Sequence, residues 1–113
     1  MPHAMREPTF WILTALVSRP LHGYGIIREA AVLSEGQVTL QAGTLYAALD
    51  RLEAEGLVEV DHEEKVDGRD RRYYRLTSGG ISAVTAEAER LSRNARTATR
   101  QLAARPHLDP ATA

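Results

Sequence analysis

The sequence has no cysteine, which excludes a disulfide framework, a thiolate metal site and cysteine nucleophile chemistry. Aromatic residues are few: Phe10, Trp11, Tyr24, Tyr46, Tyr73 and Tyr74 are the whole set. No charge of one sign dominates, since 14 basic residues stand against 15 acidic ones for a net charge of −1. That balance excludes a uniformly basic nucleic-acid binder but leaves room for a local basic patch. Long hydrophobic runs are missing as well. The longest, Phe10 to Val17 broken by Thr14, is too short to cross a bilayer, so no membrane partner is expected. No charged leader precedes a small-residue cleavage site, and the expected location is the cytoplasm. A length of 113 residues suits one small domain and leaves no room for two.

Catalytic chemistry finds no footing either. His3, His22, His62 and His107 are scattered, with no i, i+4 pair and no carboxylate cluster at ligand spacing, so neither a metal nor another cofactor is expected. His22 has a packing and capping role before the second helix. Ser34, Ser78, Ser82 and Ser92 lack a nucleophile-elbow context. Gly23-x-Gly25 is too short for a dinucleotide fingerprint and follows no strand. An enzyme is not expected.

What is present reads as three short helices, a hairpin and one long helix. Phe10 to Val17 forms the first helix, entered through Pro8 and Thr9; it is apolar nearly all round and stops before Pro20. The second ends near Leu33, with Tyr24, Ile27 and Ala31 as its apolar face. The third runs from about Ala42 to Glu55, burying Leu45, Leu49 and Leu52, and Gly56 ends it. The period then switches to two. Leu57 to Glu64 and Arg71 to Leu76 are strands on either side of the turn signal Asp67-Gly68. Thr77 caps a last helix that reaches about Arg105, before Pro106. The fold class is mainly α with a small β-hairpin: a winged helix-turn-helix over 8–76, a dimerisation helix over 77–105 and a disordered tail over 106–113.

The last helix has the clearest periodicity. Ile81, Val84, Ala88, Leu91, Ala95, Ala98 and Leu102 form a sustained heptad seam. A compact three-helix core is too small to cover a seam of that length, so a second copy is the expected partner, with Phe10, Trp11 and Leu13 of the first helix joining the interface. The competing arrangement folds the helix back on its own domain.

Arg69, Arg71, Arg72 and Arg75 fall within seven residues against one acid, Asp70. Arginine forks match phosphate oxygens, and a loop tipped with them suits a minor groove or a phosphate clamp. The alternative pairs them with Glu59, Asp61, Glu63 and Glu64 on the opposite strand. Alternation places Tyr74 and Leu76 inward and Arg71, Tyr73 and Arg75 on the other face. The third helix offers Gln41, Thr44, Tyr46, Ala47, Asp50 and Arg51 away from its core stripe, the mixture of polar and small groups that base edges require.

At these residues the chain resembles the PadR family of bacterial transcriptional regulators. The shared stretches are Pro20-Leu21-His22-Gly23-Tyr24, Gly43-Thr44-Leu45-Tyr46-Ala47-Ala48-Leu49, Arg51 to Val58, and Arg71-Arg72-Tyr73-Tyr74-Arg75-Leu76-Thr77 with Gly80. The resemblance implies a winged helix-turn-helix dimer, usually a repressor, whose hold on DNA is loosened by a small molecule or a stress signal. A single C-terminal helix is similar to the short-tailed branch, some members of which hold planar aromatic compounds between their terminal helices. Two departures stand out. The family commonly has Ser-Pro before the Gly-Thr-Leu-Tyr block, whereas this chain has Gln41-Ala42, so the cap is weaker or moves to Thr39. Members with an aromatic sandwich use a tryptophan on the last helix, whereas the one here is Trp11 on the first.

The expected function is a homodimeric, sequence-specific DNA-binding regulator, with an inverted-repeat operator and a small-molecule effector among its partners. Thr44, Tyr46, Ala47 and Arg51 are the expected helix contacts; Arg69, Arg71, Arg72 and Tyr73 are those of the wing. Trp11 and Arg93 are the effector candidates, Arg93 because it shares a helix face with Arg96 and Arg100 and no acid follows Glu89 in that helix. The rival reading is a protein-interaction module that kept the winged shape without binding DNA.

Overall fold

Proline and histidine set the borders of the first elements. In the computed structural model, which describes residues 4–106, helix α1 spans Glu7–Ala15, with Pro8 in its first turn, where the missing amide costs nothing. Beyond Pro20 the chain makes a two-residue strand, β1 (Leu21–His22), and enters helix α2 (Gly23–Leu33). The His22 side chain caps α2, its Nδ1 accepting from the Gly25 amide at 3.1 Å.

Helix α3 spans Ala42–Ala54. Its N-cap is Gln41, whose side chain makes no capping bond, so the cap is the weaker one and does not move to Thr39. Its end is a Schellman motif: Gly56 at φ 77° donates to Glu53 O, and Leu57 donates to Leu52 O. Strands β2 (Val58–Val66) and β3 (Arg69–Leu76) meet at Asp67 and Gly68, both at positive φ (52° and 76°), the backbone of a hairpin turn that follows the strand twist. A bulge between Val60 and His62 shifts the register of the pair.

The hairpin is part of a larger sheet. β1 pairs with β3 through Leu21↔Tyr74 and His22↔Tyr73, giving a three-stranded antiparallel sheet of order β1-β3-β2. A strand of two residues carries no periodicity, so nothing in the sequence marked it. Both hairpin strands also run further toward the turn than expected. Arg69 therefore joins Arg71 and Arg72 on paired strand β3, and the arginines do not tip a flexible loop.

Helix α4 (Ser78–Ala104) begins at Thr77, whose hydroxyl accepts from the Gly80 amide at 3.0 Å and donates to Gly56 O at 2.6 Å. Gly80 lets the first turn of α4 lie directly on the Leu57 carbonyl, where a side chain would overlap backbone. The core beneath is formed by Ile12, Leu13, Ile26, Leu45, Leu49, Leu52 and Val58, all essentially inaccessible.

Two expectations change on this core. The buried side of α2 is Gly23, Ile26 and Ala30, one residue out of phase with the Tyr24, Ile27, Ala31 face; Tyr24 is 64% exposed. Pairing of Leu21 in the sheet sets the phase of the helix that follows. Leu13 is wholly buried inside its own domain, so it has no surface to give a second copy. Phe10 and Trp11, in an edge-to-face pair with centroids 5.1 Å apart, remain half-exposed. From residue 91 to 104 every side chain of α4 is exposed, and the molecule measures 66 × 29 × 21 Å. The helix is an arm. No helix among the described residues is long and apolar enough to cross a membrane, and the expected tail beyond Pro106 lies outside them.

Candidate nucleic-acid interface

An open groove of about 930 Å³ separates α3 from the wing. Its walls are the start of α2 (His22, Gly23, Tyr24), the exposed side of α3 (Tyr46, Asp50) and the hairpin from Glu63 to Arg72. Three arginines (Arg69, Arg71, Arg72) and four acids (Asp50, Glu63, Asp67, Asp70) line it. It carries charge of both signs in a protein whose total is near zero.

The α3 residues divide by direction. Thr44, Tyr46 and Ala47 are exposed. Tyr46 leans toward α2, where its ring would overlap any side chain at Gly23, with Cζ only 2.8 Å from an ideal Cβ. Glycine at 23 thus lets the tyrosine close the floor of the groove. Arg51 does not join this group. Its Nη2 donates to the Thr9 hydroxyl on α1 at 2.9 Å, and its Nη1 pairs with Glu55 at 3.2 Å. It ties α3 to α1 while its side chain stays 49% exposed. Asp50 was legible on the exposed face of α3, but its position in the groove depends on the wing folding against α2.

The wing arginines divide too. Arg72 pairs with Glu63 at 3.1 Å, and Arg75 spans Glu59 and Asp61 at 2.7 and 3.2 Å, so the cross-strand alternative holds for these two. Such exposed pairs are worth about 0–1 kcal/mol and open readily. Arg69 and Arg71 form no ion pair among the described residues and lie on the groove. They are its unneutralised cations.

Tyr73 lies between two histidines. His62 stacks on its ring at 4.3 Å, and His22 meets it edge-on at 5.2 Å. The Asp61 carboxylate, 2.5 Å from Nδ1, chiefly raises the pKa of His62, with Glu64 helping. Burial lowers that of His22, and Arg71 adds to the effect. Neutral His22 is the form its capping bond requires, because Nδ1 must accept. Among the described residues no cluster of His, Asp or Glu could hold a metal ion.

Comparison with known proteins places this geometry. The profile of the transcriptional regulator PadR-like family matches residues 12–86. A Mycobacterium tuberculosis protein, transcriptional regulator Rv3488, is 40% identical over 85 residues, covering 75% of this chain and 76% of that protein. The chain belongs to the PadR-like family. Among solved structures, a PadR-like transcription factor from Bacteroides fragilis superimposes with a TM-score of 0.70 at 27% identity, covering 82% of this chain and 87% of that one. A PadR family regulator from Clostridium difficile gives 0.69 at 24% identity, covering 83% and 96%, a likeness of fold alone. This PadR-like chain accordingly has the winged helix-turn-helix fold of a DNA-binding transcriptional regulator.

The expected effector residues are not brought together. A concavity of about 230 Å³ beside α4 is lined by Arg93 together with Met5, Glu87 and Arg90, but Trp11 is not part of it. Glu87, only 6% exposed, is clamped by Arg90 at 2.8 and 2.5 Å, which holds its carboxyl below the usual range. Two acids, Glu87 and Glu89, share the concavity, which weakens its claim on an anion.

Proposed function

We propose that this PadR-like protein is a homodimeric, sequence-specific DNA-binding repressor, released from an inverted-repeat operator by a small-molecule effector. Each α3 enters a major groove, and each wing brings Arg69 and Arg71 to flanking phosphates. The reading contains no catalytic step. The observation that carries it is the open apolar seam of the α4 arm, where Ile81, Leu91 and Leu102 are 56%, 42% and 64% exposed. Burying that line against its twin holds two reading heads at a fixed separation, and twofold symmetry then asks for a palindromic site.

Sedimentation combined with a mobility-shift assay tests it. The wild type should sediment as a dimer and bind the region upstream of its own gene in a salt-sensitive way. Leu91→Glu should sediment as a single subunit and lose most of that binding. A wild type that sediments as one subunit while holding an operator overturns the proposal.

A second reading, a winged-helix module that binds protein and not DNA, draws on the neutralisation of Arg72 and Arg75 by Glu63, Glu59 and Asp61. Silence in the mobility shift up to micromolar protein would favour it.

A further inference from the structure

We propose that Asp50 reads sequence, its carboxylate accepting a hydrogen bond from the N4 amine of one cytosine in each half-site. The inference rests on the DNA-binding reading above and names what α3 recognises.

The argument begins with helix geometry. With Leu45, Leu49 and Leu52 facing the core, a turn of about 3.6 residues puts Gly43, Ala47, Asp50 and Ala54 on the opposite side. All four are exposed. Three of them carry no atom beyond Cβ, and nothing lies within 4 Å of where a Cβ would stand on Gly43. A helix with so little on its outer line can settle deep into a major groove. Asp50 is the one member of that line with a side-chain hydrogen-bonding group.

Its charge is unspent. Arg51, the nearest cation in sequence, is turned to Thr9 and Glu55, and the residues one turn away are Tyr46, Ala47, Glu53 and Ala54. Asp50 takes part in no ion pair or side-chain hydrogen bond among the described residues, and it lines the groove opposite the wing.

A carboxylate in that position is selective by repulsion as well as attraction. It is disfavoured beside phosphates, beside the N7 and O6 acceptors of guanine and beside the O4 of thymine. Adenine offers an amine but sets N7 next to it. Cytosine alone presents a donor without an adjoining acceptor on the same base. The short aspartate side chain reaches it because Gly43 and Ala47 let the backbone come close.

The test selects bound duplexes from a randomised pool with wild type, Asp50→Ala and Asp50→Asn. The wild type should enrich cytosine at one position of each half-site. Asp50→Ala should lose that preference alone, the matched-to-mismatched affinity ratio dropping about fivefold or more, the low end of a good base contact. Its salt slope should not change, because no phosphate contact is removed. Asp50→Asn should move the preference to adenine, whose N6 and N7 an amide matches bidentately. Identical preferences in wild type and Asp50→Ala, or a uniform tightening on every sequence, would overturn the assignment and leave DNA binding standing. A wild type that enriches no sequence would overturn sequence-specific binding and this assignment together.

Discussion

Arg51 on α3 is hydrogen-bonded to Thr9 on α1, Nη2 to Oγ1 at 2.9 Å, across 42 positions of sequence. Thr9 is 8% exposed, so removing the guanidinium leaves a buried hydroxyl short of a partner. Arg51→Ala should therefore destabilise the domain by about 1–3 kcal/mol, measured by urea unfolding, while base preference stays as in the wild type. A changed preference with unchanged stability would return Arg51 to the DNA surface.

The contact between Gly80 and Leu57 sets the angle at which the arm leaves the domain. Gly80→Ala raises helix propensity by about 1 kcal/mol, yet its methyl would overlap the Leu57 carbonyl, which belongs to backbone and has little room to yield. Overpacking of this kind costs about 1–3 kcal/mol. The expected outcome is a net loss of stability on thermal or urea unfolding. A more stable variant would show that the arm pivots freely.

His22 and His62 flank the same tyrosine and should titrate in opposite directions from the usual histidine value. Asp61 raises the pKa of His62, so its contribution is full below the unfolded-state pKa and is lost as pH rises through the folded value. Burial lowers the pKa of His22, so its contribution is full above the unfolded-state pKa and is lost as pH falls toward the folded value. NMR titration of the two imidazoles checks both. Asp61→Asn should lower the midpoint of His62 and leave that of His22 nearly unmoved.

Arg71 and Arg72 are neighbours with different surroundings. Arg72 is partnered by Glu63, while Arg71 has no ion pair among the described residues. Arg71→Ala should weaken operator binding evenly across sequences and reduce the salt slope by about one unit. Arg72→Ala should do less, because its charge is offset before DNA arrives. Binding measured over a range of salt separates them; equal losses would mean that the Glu63 pair opens on contact.

Much of the fold was legible because its signals are local. Asp67-Gly68 defines its own turn, Gly56 and Thr77 terminate and start helices by their own geometry, and Leu45, Leu49 and Leu52 lie on one face by spacing alone. The candidate site was legible in part. Tyr46, Arg69 and Arg71 line the groove between α3 and the wing, and Thr44 and Ala47 are exposed on α3. Leu13 was misjudged, and the tie of Arg51 to Thr9 was not foreseen, for one reason: each depends on a partner far along the chain. The α2 face was out of phase because helical spacing gives a stripe but not its rotation, and β1 is too short to carry a pattern.

By itself, then, the sequence determined the four helices and the hairpin to within a few residues at their ends, though not β1, and that the last helix bears an apolar line longer than the core. These follow from backbone preferences and periodicity acting within a few residues. Only the tertiary structure decided which way α2 faces, which arginines are already paired, and that Asp50, Tyr46 and the wing share one groove. Those depend on contacts between distant segments, made only once the core of Ile12, Ile26, Leu49 and Val58 has closed and fixed the helices against the sheet.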